Sequence, residues 1–219
     1  MVLLNKIFFR HGHNINIGEP AKRFFDLAMA LAALLLLLPL LFLMVICIRI
    51  KLGSPVFFSQ WRIGRHGKQF KIIKFRTMLE KNDAYGKLLP DEQRLTSFGN
   101  FLRMNSLDEL PTLFNVFVGH MSLVGPRPLP ILYRERFSPI QWRRHEMKPG
   151  ITGLAQISGR NALTWEEKFK LDVWYVDHWT FWLDIKILIG TILRLIRREG
   201  ISHEGHATMP EFLPESHKE

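Results

Sequence analysis

The sequence predicts a mainly helical α+β protein: an N-terminal membrane-inserted, re-entrant helix-hairpin, a small β-hairpin, and interfacial amphipathic helices around a cytoplasmic core. Three observations predict this class. Leu27 to Ile48 is a run of 22 residues without a charge. Two segments rich in Phe, Ile, Val and Trp flank a glycine-bounded turn, Gly64 to Lys68. The rest interleaves apolar and basic residues, with 30 Lys and Arg against 20 Asp and Glu and a formal charge of +10. The organisation expected is a polar head over 1–21, the membrane-inserted segment over 22–52, and a cytoplasmic domain over 53–219.

The first element follows from length and flanks. A straight helix over the uncharged run would be about 33 Å long, enough to cross a bilayer. Pro39 lies near its middle and lacks the backbone donor a continuous helix needs. Lys22 and Arg23 precede the run, and Arg49 and Lys51 follow it. Basic residues mark the cytoplasmic flank, and here they mark both. A helix that enters, turns at Pro39 and leaves on the same side satisfies both facts; a kinked single span is the rival. The run is too long for a signal peptide, no small-residue cleavage site follows it, and it exceeds what a small soluble core needs. Cys47, the one cysteine, lies within it, so no disulfide framework exists.

Gly53, Ser54 and Pro55 punctuate the exit. Val56 to Ile63 and Gln69 to Arg76 then read as an antiparallel hairpin. Period-two alternation puts Lys74 and Arg76 on one face. Lys81 to Thr96 is polar and reads as a loop with a little helix. Phe98, Phe101 and Leu102 suit a short helix that also carries Arg103. A second helix runs through Leu110, Leu113, Phe114 and Phe117 and stops near Gly119. Loops follow at Ser122 to Pro128 and Pro149 to Arg160. The aromatic and basic stretch from Trp165 to Arg198 suits a helix in the headgroup plane or an ordinary core helix, with equal support for each.

The charge balance calls for an anionic partner: nucleic acid, an anionic lipid surface or a phosphorylated substrate. No basic recognition helix, zinc-finger spacing or RNA-binding signature supports nucleic acid. No Walker loop, dinucleotide fingerprint or serine elbow occurs. His203 and His206 lack the i, i+4 spacing of a helical zinc site, and His11 and His13 lie in the polar head. Asp108 and Glu109 are adjacent at a helix start, where Ser106 with Glu109 would form a capping box. That register puts Pro111 inside the helix; Asp108 as N-cap avoids this. Lys74, Arg76, Arg103 and Arg127 occupy segments able to converge on the pair. Arg127, between two prolines, is either a stiffly held phosphate ligand or part of a plain rigid loop. Adjacent carboxylates suit division between a nucleophile toward phosphorus and a Mg²⁺ ligand.

The motifs Lys22-Arg23-Phe24-Phe25-Asp26, Gly53-Ser54-Pro55-Val56-Phe57-Phe58 and Lys74-Phe75-Arg76-Thr77-Met78 resemble those of the bacterial sugar transferases, the monotopic phosphoglycosyl transferases. So do Ser106-Leu107-Asp108-Glu109-Leu110-Pro111, Ser122 to Pro128, Lys148 to Gly153, and Ser158-Gly159-Arg160-Asn161. The match covers about residues 20–210 in order and is nearest to short members made of the catalytic module alone. The resemblance implies transfer of sugar-1-phosphate from a UDP-sugar to undecaprenyl phosphate with release of UMP, a first membrane step of glycan assembly. It implies Asp108 as the nucleophile of an aspartyl phosphosugar intermediate and Glu109 as the Mg²⁺ ligand. Lys74, Arg103, Arg127 and Arg160 match its phosphate and nucleotide site; Arg76 joins them as a candidate. Anionic lipids are the further partner expected, and the bacterial inner membrane the location, with the catalytic domain facing the cytoplasm. One departure is Leu38-Pro39, where many members have Ser-Pro. Two other classes remain open: a lipid-binding scaffold, and a phosphotransferase working without a covalent intermediate.

Overall fold

The computed structural model describes residues 18–159, 163–197 and 211–212. Most of the polar head, with His11 and His13, falls outside these residues, as do Arg160, Arg198, His203 and His206.

Helix α1, Glu19–Lys51, has a proline in its first turn, where a missing N–H costs no helical bond. It is long and apolar enough to cross a membrane, and its helical assignment runs unbroken through Pro39. Asp26, Ala30, Leu34, Leu41, Met44 and Ile48 are buried along one stripe. Leu31, Leu35, Leu36, Leu38, Phe42, Leu43 and Ile50 are exposed. Both ends are tied down. Near the start, Lys22 Nζ donates to Val124 O at 3.2 Å and pairs with Asp184, while the Arg23 guanidinium donates to Val116 O and Phe117 O. Past the end, Arg76 donates to Leu52 O and, at 3.0 Å, to Ser54 O.

Strands β1 (Phe57–Ile63) and β2 (Gln69–Phe75) pair antiparallel from Phe57↔Phe75 to Ile63↔Gln69, as the sequence predicts. The turn between them places His66 and Gly67 at φ 54° and 74°. Phe70, Ile72 and Phe75 enter one core with α1, Leu102, Leu113, Val116 and Met121. The polar loop contains only the short α2, Asp91–Arg94. Helix α3, Ser97–Met104, is N-capped by Thr96, whose Oγ1 accepts Gly99 N–H at 3.0 Å.

A 3₁₀ turn, Leu107–Glu109, leads into α4, Thr112–Phe117. Here the capping expectation fails. Ser106 is left-handed at φ 54° with no side-chain cap bond, and Pro111 occupies the N-cap position of α4. The proline that cannot continue a helix instead begins one.

Strand β3 (Ser122–Val124) pairs in parallel with β4 (Gly150–Thr152), inside two segments that read as loops. The short α5, Pro139–Trp142, lies between them in sequence, and α6, Leu154–Ser158, follows β4. The Trp165–Arg198 stretch divides into α7 (Trp165–Asp177) and α8 (Phe181–Arg197), because Thr180 opens the second with its own cap bond to Leu183 N–H. Helix α8 turns Leu183, Asp184 and Ile187 into a second core and exposes Trp182, Ile189, Ile192, Leu193 and Leu195.

Candidate active site

Asp108 and Glu109 stand on the 3₁₀ turn, and three elements bring cations to them. The first is β2. Lys74 Nζ donates to Glu109 Oε1 at 2.6 Å. The geometry depends on Asn115 of α4, buried to 2 % exposure, which behaves as a short strand edge. Its Oδ1 accepts Ile73 N–H at 3.0 Å and its Nδ2 donates to Lys71 O at 2.7 Å. Thr112 Oγ1 adds a bond to Ile73 O. The helix that follows the carboxylates is thus bonded to the strand that carries Lys74.

The second is the Pro126-Arg127-Pro128 loop. Arg127 Nη2 donates to the same Glu109 Oε1 at 2.7 Å. Four successive carbonyls fix this loop, each taken by a different donor. Pro126 O accepts Gly150 N–H, Arg127 O accepts Arg144 Nη2, Pro128 O accepts Arg62 Nη1, and Leu129 O accepts Ile63 N–H. Arg144 is itself held by Asp172 in a buried ion pair at 2.6 Å. The fit against β4 excludes side chains: a Cβ on Gly150 would lie 2.1 Å from Gly125 N.

The third is α3. Arg103 Nε donates to Thr77 Oγ1 at 3.0 Å, and its charge acts on Asp108. Arg76 is different. Its guanidinium is buried against Leu52 O and Ser54 O, so it braces the end of α1 and makes no ion pair with either carboxylate among the described residues. Arg62 and Asn115 went unnoticed in the sequence; the one available signal was a lone Arg in a strand otherwise aromatic, apolar or neutral.

The two carboxylates are held in opposite states. Burial pushes Glu109 up, but Arg127 and Lys74, with their hydrogen bonds, outweigh it and hold the carboxyl well below the usual range. Burial and the adjacent Glu109 charge push Asp108 up to about 6, against the opposing pull of Lys74, Arg103 and Arg127. Lys74 is lowered chiefly by desolvation, while Arg127 is raised chiefly by Glu109. Among the described residues, the Asp108 carboxylate and Glu109 Oε2 accept no hydrogen bond. Two hard carboxylates with free oxygens fit Mg²⁺, which takes one or two protein carboxylates and keeps its remaining positions for water and phosphate. No group of three or more His, Cys, Asp or Glu side chains able to hold a metal occurs among the described residues.

Among the described residues, an ionisable carboxylate without a hydrogen-bond partner stands beside a second carboxylate neutralised by fixed cations, a combination that marks a candidate enzyme site. The bacterial sugar transferase family matches residues 17–198, and the chain belongs to that family. It is 52 % identical over 191 residues to the uncharacterized sugar transferase EpsL of Bacillus subtilis, covering 87 % of this chain and 95 % of that one. It is 39 % identical over 196 residues to the undecaprenyl-phosphate galactose phosphotransferase of Salmonella typhimurium, covering 82 % of this chain and 41 % of that one. The UDP-glucose:undecaprenyl-phosphate glucose-1-phosphate transferase of Escherichia coli is 38 % identical over 188 residues, covering 81 % and 40 %. The chain therefore spans about two fifths of the length of those two longer relatives.

Proposed function

We propose that this protein transfers sugar-1-phosphate from a UDP-sugar to undecaprenyl phosphate and releases UMP. The carrying observation is the Asp108 carboxylate, without a hydrogen-bond partner among the described residues, beside a Glu109 gripped by Lys74 and Arg127. The names of the Salmonella and Escherichia coli relatives, a galactose and a glucose phosphotransferase, support the reaction class.

In this reading an Asp108 oxygen attacks the phosphorus that bears the sugar. The bond to the bridging oxygen breaks, UMP departs with that oxygen, and an aspartyl phosphosugar remains. An oxygen of undecaprenyl phosphate then attacks the same phosphorus and restores the carboxylate. Lys74, Arg103 and Arg127 bind phosphate oxygens and neutralise charge, while Glu109 keeps Lys74 and Arg127 oriented before substrate arrives. Mg²⁺, held by Glu109, would supply further neutralisation of the phosphates. Arg160 is assigned to the nucleotide side by motif alone.

The lipid acceptor sets the membrane arrangement, and we infer a re-entrant α1 that returns both flanks to the cytoplasmic side of the bacterial inner membrane. Buried residues mirror each other about Pro39: Ala30 and Ile48 lie nine positions away, Leu34 and Met44 five. If α1 were straight, its buried stripe from Asp26 to Leu52 would extend about 39 Å. The six-residue α4 and three-residue β3, which pack on it, are far shorter. Arms folded against each other would supply the missing cover. The exposed apolar flank of α8 and the surplus of Lys and Arg suit contact with anionic headgroups.

The test is purified protein with a panel of UDP-sugars, undecaprenyl phosphate and Mg²⁺. UMP release with one sugar, and a phosphosugar adduct on Asp108 when the acceptor is withheld, are expected. Release of UMP only when the acceptor is present, with no adduct, would overturn the covalent step.

A further inference from the structure

The carboxylates and their cations do not account for Arg62. Its place in β1 turns its guanidinium toward the Pro126-Arg127-Pro128 loop, where Nη1 donates to Pro128 O at 3.2 Å and Nη2 to Gln60 Oε1 at 2.6 Å. Its Nε–H is buried with no acceptor among the described residues. A buried donor left unpaired is destabilising and rare in folded proteins, and function is one reason such a group is retained. Arg62 also lines a narrow cleft with Lys74, Glu109, Arg127 and Pro128. Among the described residues three cations line it against one carboxylate, so the lining carries a surplus of positive charge. Two of the three, Lys74 and Arg127, already share the carboxylate's Oε1. Arg62 has no ion pair among the described residues.

The cleft's size limits what it admits. At ≈20 Å³ it has room for an oxygen-sized group. Arg62, Lys74, Glu109 and Arg127 line it together, so the oxygen it admits belongs to a phosphate held by the same cations that grip Glu109.

We propose that Arg62 is a phosphate-binding residue that takes one non-bridging oxygen of the substrate's diphosphate. This rests on the sugar-phosphate transfer reading for the identity of the ligand, although the anion site itself does not. Arg62 acts with Arg127 as a two-guanidinium floor: Arg127, half exposed, meets the diphosphate first, and Arg62 accepts the inserted oxygen beneath it. Negative charge builds on the diphosphate oxygens as the bridging bond breaks, so the contact strengthens toward the transition state.

The test measures binding of UDP and of inorganic pyrophosphate to the full chain in detergent, for wild type, Arg62→Gln and Arg62→Lys, alongside UMP release and thermal unfolding. Arg62→Gln is expected to weaken both ligands at least tenfold and to lower kcat further, with little change in unfolding temperature. Arg62→Lys keeps a donor for Pro128 O but loses the planar fork; it is expected to weaken pyrophosphate by a similar factor. If Arg62→Gln does not fold, the lysine variant carries the test with the same threshold. Pyrophosphate binding within twofold of wild type in the folded variant overturns the proposal and leaves Arg62 as a loop prop. Absence of UMP release by wild type, with Arg62-dependent pyrophosphate binding intact, would instead overturn the transferase reading and leave the anion site standing.

Discussion

At Asp108, burial and the neighbouring Glu109 charge act in the same direction, and three cations only partly offset them. With the carboxyl raised to about 6, its folded value lies above the unfolded one. The group therefore favours the folded state below the unfolded value, and that contribution is lost as pH rises through about 4 to 6. In the proposed mechanism activity runs the other way, because only the ionised carboxylate would attack phosphorus. We expect log kcat/KM to rise with unit slope up to about pH 6 and then flatten. A profile already flat at pH 4.5 would show an ordinary carboxylate at the rate-determining position. Asp108→Asn is expected to abolish UMP release without loss of fold or membrane association. More than a few per cent residual turnover, with deamidation excluded, would remove the covalent role. For Arg127→Lys the charge survives but the fork that reaches Glu109, and in the proposed mechanism a phosphate oxygen with it, does not. A loss of at least tenfold, about 1.4 kcal/mol of transition-state stabilisation, is expected in steady-state kinetics.

Elements, more than single side chains, decide where these groups stand. Asn115→Ala would strip the bonds to Ile73 N–H and Lys71 O together and loosen α4 from β2. A loss of about 1–3 kcal/mol in urea unfolding is expected, with a fall in kcat as Lys74 drifts from Glu109. Asp172→Ala leaves the buried Arg144 guanidinium unpaired, and about 3–5 kcal/mol of destabilisation is expected, read in the same way. Much of this scaffold was legible in advance. The hairpin, α3 and the helix after Glu109 follow from period and punctuation, and the apolar run marks α1 directly. The parallel pairing of β3 with β4 was not legible, because three-residue strands joined across a long connection leave no periodic trace. The capping box misled for a related reason. It is a local pattern, and the left-handed Ser106 is imposed by how the chain must turn between α3 and α4. Lys74 and Glu109 were recognisable as charge and motif; Asn115, bridging two elements 42 residues apart, was visible only in space.

For the whole molecule, the re-entrant arrangement predicts that both ends of α1 face the cytoplasm. Single cysteines at Asn5 and Ser97, in a Cys47→Ser background, should both resist a membrane-impermeant thiol reagent in intact spheroplasts and react once the membrane is opened. External labelling at position 5 would establish a full span. Replacing Pro39 with Leu should restore the missing backbone donor, favour a straight helix and expose position 5 in part of the population. The ties at either end of α1, Lys22 with Asp184 and Arg76 with Leu52 and Ser54, carry a separate consequence. They fasten the domain to α1, so in the proposed reaction enzyme and lipid acceptor would meet by lateral diffusion within the bilayer. The quantity that governs their encounter is then the acceptor's mole fraction among the surrounding lipids. Diluting the bilayer with inert phospholipid should slow the second half of the reaction at constant bulk concentration, while capture of the water-borne sugar nucleotide proceeds unchanged.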